Sequence, residues 1–130
     1  MRTTPLVLII DDDKDVTQIA STMLTNAGFE VRAVNSSLDA EAQVEMIAPD
    51  LIILDVNMPG LNGTQLLLDF RKNPKLKNTK VAIFTNLIAP WPGSSGDNQK
   101  MAQELGATTF IDKTKDLDHL AERVKEILNS

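Results

Sequence analysis

Apolar residues along this chain fall into short runs that stop at polar side chains, separated by longer stretches with helical spacing. Leu6-Val-Leu-Ile-Ile10 runs into Asp11, Asp12 and Asp13, and Leu51-Ile-Ile-Leu54 runs into Asp55. Lys80 to Thr85 carries Val81-Ala-Ile-Phe84 up to the Thr85 hydroxyl, and Thr109-Phe-Ile111 meets Asp112 and Lys113. Short segments that are apolar on both faces predict buried parallel strands. Phe29, Val31 and Ala33 alternate with Glu30 and Arg32, which predicts a wetter strand near a sheet edge.

The intervening stretches repeat every three or four residues. Val16, Ile19, Ala20, Met23, Leu24 and Ala27 mark a first helix that stops at Gly28. Ser36 or Ser37 can cap a second helix running to about Ala48, with Pro49 at its end. Met58-Pro-Gly-Leu-Asn-Gly63 is a turn cluster, and a third helix follows it with Leu66, Leu67 and Phe70. Leu87-Ile-Ala-Pro-Trp-Pro-Gly-Ser-Ser-Gly96 predicts a loop, followed by a short helix from about Asp97 to Leu105 that ends at Gly106. Leu117, Leu120, Ala121, Val124, Ile127 and Leu128 form the stripe of a last helix. Five βα units with mostly short connections predict an α/β domain: a five-stranded parallel sheet with helices on both faces, doubly wound.

Composition narrows the class. The chain has 130 residues, 42% of them hydrophobic, which suits one domain over 1–130 with a substantial core. A net charge of −5 and no run of Lys or Arg argue against direct binding of nucleic acid. The absence of cysteine removes disulfides and thiolate metal sites and fits a reducing cytoplasm. The longest apolar runs are about five residues, whereas a membrane helix needs roughly 20. Met1 to Pro5 leads straight into the first strand and has no signal-peptide pattern.

The strand ends carry the chemistry. In open parallel sheets, ligands bind beyond the carboxyl ends of the strands, and here those ends bring Asp11, Asp12, Asp55, Thr85 and Lys113 to one rim. Mg²⁺ takes oxygen ligands, commonly one or two carboxylates with waters and a phosphate, and the three aspartates offer such a half-shell. Asp13 and Asp15 are explained as caps of the first helix. Lys113 can pair with Asp55 and with a phosphoryl oxygen, and Thr85 can donate its hydroxyl to that oxygen. His119, on a polar position of the last helix, reads as a solvated residue.

These residues resemble the receiver domain of two-component response regulators. The resemblance is carried by Val-Leu-Ile-Ile-Asp-Asp-Asp (7–13), Pro-Asp-Leu-Ile-Ile-Leu-Asp-Val-Asn-Met-Pro-Gly-Leu-Asn-Gly (49–63), Ile-Phe-Thr (83–85) and Phe-Ile-Asp-Lys (110–113). It spans essentially the whole chain and implies a CheY-like, flavodoxin-like (βα)5 fold with strand order 2-1-3-4-5. It also implies a phosphorelay function in which Asp55 is the phosphoacceptor. Asp12 and Asp55 would bind Mg²⁺ (or Mn²⁺) directly, Asp11 partly through water, and Asn57 would add its backbone carbonyl. Thr85 would be the switch hydroxyl, Lys113 the phosphoryl-pairing lysine, and Phe110 the aromatic that reorients with Thr85. The implied partners are a sensor histidine kinase or histidine phosphotransfer protein and a downstream effector. The face of the fourth helix, fifth strand and fifth helix would form the output surface and a possible homodimer contact. The only covalent chemistry implied is phosphorylation and dephosphorylation of Asp55 itself.

Three positions depart from the family pattern: Thr114 stands where proline usually follows the lysine, Asn86 where a very small residue follows the switch threonine, and the loop around Trp91 is longer than usual. A haloacid-dehalogenase-type phosphatase would place a second aspartate two residues after the nucleophile, and this chain has Asn57 there. A flavodoxin-like cofactor binder needs a Gly/Ser/Thr-rich first loop for phosphate, and Asp11-Asp-Asp13 would repel it. A receiver-like interaction module that is never phosphorylated stays open as the alternative.

Overall fold

The computed structural model describes residues 4–34, 40–55, 63–85, 103, 106–113 and 116–129, without the side chains of residues 63, 64 and 85. Five strands form one parallel sheet: β1 (Leu6–Ile10), β2 (Glu30–Val34), β3 (Leu51–Leu54), β4 (Lys80–Thr85) and β5 (Thr109–Asp112). Their spatial order is β2-β1-β3-β4-β5, as the sequence led us to expect. The described helices are α1 (Lys14–Asn26), α2 (Ala40–Ile47), α3 (Gly63–Lys72) and a C-terminal helix (Leu120–Leu128) entered through a 3-10 turn (Leu117–His119). Of the short helix expected over 97–105, only Gln103 is described, and it is helical.

Side chains alternate across the sheet, because successive Cβ atoms in a strand point to opposite faces. Leu8, Ile10, Ile52, Leu54, Val81 and Ile83 meet Val44, Leu67 and Phe70 from α2 and α3. Val7, Ile9, Leu51, Ile53, Ala82 and Phe84 meet Ala20 and Leu24 of α1 and Leu120 and Val124 of the C-terminal helix. β1 and β3 are buried along their whole length, which is why neither shows a polar alternation. β2 is the wet edge: Glu30, Arg32 and Ala33 are exposed, and Val34 rather than Ala33 is the buried residue at its end. On α1 the core face is Thr17, Ala20 and Leu24. Ile19, placed by its spacing on that face, is 48% exposed. It lies with Met23 on the flank, since a stripe wider than the sheet can cover must leave one edge in water.

Backbone constraints set the ends of these elements. Asp13 caps α1, its carboxylate accepting from the amides of Asp15 and Val16. Gly28 turns the chain into β2 at φ 101°, where a side chain would be strained. Ala48 ends α2 at φ 52°, a left-handed conformation costing an alanine about 1 kcal/mol; Pro49 next to it cannot continue the helix. The cap expected from Ser36 or Ser37 lies outside the described residues, as does the turn cluster from Met58 to Asn62.

Arg71, near the end of α3, has a half-buried guanidinium that donates to four carbonyls: Gly106 at 2.6 Å, Thr79 at 2.8 Å, and Leu76 and Lys77 at 3.2 Å. Burial lowers its pKa from the usual arginine range. One side chain thus ties the α3–β4 connection to the turn that starts β5. Gly106 stands at φ 98°, and a Cβ there would come 3.1 Å from Arg71 Cγ. A lysine lacks the planar fork that reaches several acceptors at once. Arg71→Lys is therefore expected to lower stability by about 2 kcal/mol in urea unfolding; an unchanged midpoint would refute the clamp.

Candidate functional site

Sheet hydrogen bonds continue just past the strand ends and fix the acids there. The Asp11 amide donates to Val34 O of β2 at 3.2 Å, and the Asp55 amide donates to Ile10 O of β1 at 2.9 Å. These two aspartates therefore project from adjacent strand tips in a set register. Asp11 is fully buried and Asp55 only 3% exposed, whereas Asp12 faces solvent. The Asp13 amide donates to Asp11 Oδ1 at 2.9 Å, orienting that carboxylate.

The Lys113 ammonium sits between the buried acids. It lies 2.7 Å from Asp11 Oδ2 and 3.1 Å from Asp55 Oδ2, and 5.4 Å from the centre of the Phe84 ring. Burial of Asp11 raises its pKa, with the nearby ammonium opposing part of that rise. For Lys113, burial would pull the pKa down, but Asp11 and Asp55 outweigh it and hold the amine charged. The pairing with Asp55 was legible in the sequence, whereas the shorter contact with Asp11 was not. It arises because the two carboxylates share one pocket.

Asp11, Asp12 and Asp55 each offer an oxygen within 4.8 Å of the others. Asp11 Oδ2 is buried with the Lys113 ammonium 2.7 Å away. An all-oxygen, negatively charged cluster of three aspartates fits a hard divalent cation such as Mg²⁺. Thr85 ends β4 directly opposite Asp112 in the β4–β5 register; its hydroxyl is outside the described side chains, as are Asn57, Asn86, Trp91 and the Lys113–Thr114 bond. Phe110 is half-buried against the cluster on the α2–α3 side, and Arg123 donates to its carbonyl at 3.0 Å. His119 is exposed, as expected for a solvated position, with Glu122 3.9 Å away.

A family model described as "Response regulator receiver domain" matches residues 7–125. The chain belongs to this family. Among curated relatives, the receiver is 32% identical to a transcriptional regulatory protein CpxR homolog of Haemophilus influenzae, over 94% of this chain and 49% of that protein. It is likewise 32% identical to the transcriptional regulatory protein PrrA of Mycobacterium bovis, over 97% of this chain and 51% of that one. The chain thus spans about half the length of the curated relatives it matches. Among solved structures, a putative response regulator from Chloroflexus aurantiacus superposes with a TM-score of 0.82 at 30% identity, covering 98% of this chain and 100% of that one. The Vibrio cholerae chemotaxis protein CheY4 gives 0.81 at 26% identity, with 96% and 99% covered. Among the described residues, no helix is long and apolar enough to cross a membrane.

Removing the ammonium would leave two buried carboxylates facing each other without a counter-charge. Lys113→Ala is therefore expected to cost about 3 kcal/mol in metal-free urea unfolding. Adding Asp11→Asn should recover part of that loss, because one of the two like charges is gone. A single variant as stable as wild type would contradict this electrostatic account.

Proposed function

We propose that Asp55 is the phosphoacceptor of this receiver and that Asp11, Asp12 and Asp55 hold Mg²⁺ (or Mn²⁺) beside it. Asp12 and Asp55 would hold the ion directly, Asp11 partly through water, and Asn57 would contribute its backbone carbonyl. The Lys113 ammonium, poised between the carboxylates of Asp11 and Asp55 at 2.7 and 3.1 Å, supports this assignment above all. Such a cation neutralises phosphoryl oxygens as readily as carboxylates. When bound, the metal ion supplies further charge neutralisation at the phosphoryl oxygens.

The residues of the chain then act as follows. An Asp55 carboxylate oxygen attacks the phosphorus of a phosphohistidine, the P–N bond breaks, and the imidazole leaves. Lys113, which pairs with the free Asp55 carboxylate, pairs with the phosphoryl oxygens once they are attached. The acyl phosphate adds roughly −1.5 to −2 of charge at the tip of β3. Thr85 donates its hydroxyl to the new oxygens and draws the end of β4 inward, and Phe110 reorients into the vacated space. The surface formed by the fourth helix, β5 and the C-terminal helix repacks for a partner, either a downstream effector or a second copy of the chain. Water later attacks the acyl phosphate, releasing inorganic phosphate and restoring the Asp55 carboxylate. Self-phosphorylation and dephosphorylation are the only reactions assigned to the chain.

The donor is a sensor histidine kinase or histidine phosphotransfer protein, and residues 1–130 act as one receiver domain. The lack of cysteines supports a place in the cytoplasm, and the acidic balance supports protein rather than nucleic-acid partners for this chain.

Intact-mass analysis after incubation with Mg²⁺ and a small phosphodonor tests the assignment, beside an Asp55→Asn control. A single phosphoryl adduct on the wild type, absent from the variant, is expected. A folded wild type that takes no adduct and binds Mg²⁺ weakly would favour a receiver-like module that works by protein contacts alone.

A further inference from the structure

Lys113 has an unusual distance to span. It follows the last residue of β5, yet its ammonium must reach Asp55 beyond β3 and Asp11 beyond β1. Neighbouring strands are about 4.8 Å apart, so the chain after β5 must lean inward over the sheet for a lysine to touch both acids. The sheet ladder does not impose that lean. Its final pair is Thr85 with Asp112, one residue before the lysine. Position 114 is a threonine, with no ring to fix its backbone angle.

The hydrogen bonds that flank the lysine supply the missing restraint. The Asp112 amide donates to Asp116 Oδ2 at 2.9 Å, and the Asp116 amide donates to Asp112 O, also at 2.9 Å. These reciprocal bonds close the segment carrying Lys113 into a clasp. Asp116 stands at the cap position of the 3-10 turn, but its carboxylate makes no capping bond there. The side chain best placed to cap that turn has been turned back toward β5. On the other side of the strand, Arg123 donates to Phe110 O at 3.0 Å and reaches Thr109 Oγ1 at 3.4 Å. β5 is thereby anchored to the C-terminal helix two and three residues before Asp112.

We propose that Asp116 is a positioning residue for phosphoryl transfer: by clasping Asp112 it sets the backbone from which Lys113 reaches Asp11 and Asp55. This inference rests on the phosphoacceptor reading above. The Asp116 carboxylate is taken up by the Asp112 amide, so its effect on rate runs through Lys113. A long, flexible lysine released from its lean spends less time against the transferring group, and small misplacements of such groups cost rate steeply.

The test measures phosphorylation rates with acetyl phosphate at saturating Mg²⁺ for the full chain, in wild-type and Lys113→Ala backgrounds. Asp116→Ala is expected to slow the wild type about tenfold, in line with the loss of other residues that orient a charged group. Asp116→Asn keeps an oxygen for the Asp112 amide and should restore most of the rate. In the Lys113→Ala background, Asp116→Ala should change little, because the group it positions is absent. An equal loss in both backgrounds, an unaffected rate, or an Asp116→Asn variant as slow as Asp116→Ala would overturn the role. Hydrogen exchange of the Asp112 amide in the wild type checks the clasp without any variant: protection is expected, and free exchange overturns it even if Asp116→Ala does not fold. A wild type that accepts no phosphoryl group would instead bring down the phosphoacceptor reading together with this role. An adduct on the wild type with unchanged Asp116→Ala kinetics brings down only the latter.

Discussion

One ammonium shared by two buried carboxylates is the constraint on which the rest of this structure depends. Asp11 and Asp55 are almost completely out of water, and an unpaired buried carboxylate costs several kcal/mol. Lys113 lowers that cost only if β1, β3 and the end of β5 are held in one register. The parallel ladder provides it, with Ile10 paired to Leu54 and Thr85 to Asp112. Burial strips these acids of hydration, Lys113 offsets part of that cost in the assembled fold, and the same charges give the fold its chemistry. The rim is therefore a site where stability and function meet, since neighbouring carboxylates are retained that a purely structural core would avoid.

The scaffold below the rim has a different logic. Each strand sends alternate side chains to two apolar layers, so the sheet is sealed on both faces and its strand tips are the natural place for polar groups. Long-range polar side chains then brace the parts that the layers do not reach. Arg71 gathers the α3–β4 connection and the turn at Gly106, Lys80 donates to Ile127 O at 2.7 Å at the end of the C-terminal helix, and Asp50 accepts from the Leu6 amide at 2.8 Å. These bonds satisfy backbone groups at element ends, where neither helix nor ladder can. Arg71 fixes the turn that leads into β5, and Arg123 holds the strand itself through Phe110 O.

Much of this was legible in the sequence. The strands β1 and β3 announced themselves because burial on both faces leaves no polar residue in five or four positions. The candidate site followed from them, since a buried strand that ends in aspartate places a carboxylate at a rim. Asp13 was legible as a cap for a local reason: the amides that donate to its carboxylate lie two and three residues on. What escaped was non-local or set by competition. Arg71 looks like any surface arginine on a helix, because its partner Gly106 is 35 residues away. The Asp11–Lys113 pair spans most of the chain, and nothing in either neighbourhood says which of two acids the amine approaches more closely. Ile19 was misplaced because helical spacing fixes a face but not how much of it the sheet can cover. Asp116 had a detectable signal, a short acceptor four residues after Asp112, but the same spacing also fits an ordinary helix cap.

The proposed phosphoacceptor, Asp55, would become an acyl phosphate at this acid rim. The most direct measurement is borohydride trapping of the chain after phosphorylation with Mg²⁺ present, followed by peptide mass mapping. Reduction of a phosphoaspartate leaves homoserine at the modified position, and homoserine at residue 55 alone is expected. Homoserine at Asp11 or Asp12, or a phosphoryl group found on His119 with Asp55 intact, would contradict it.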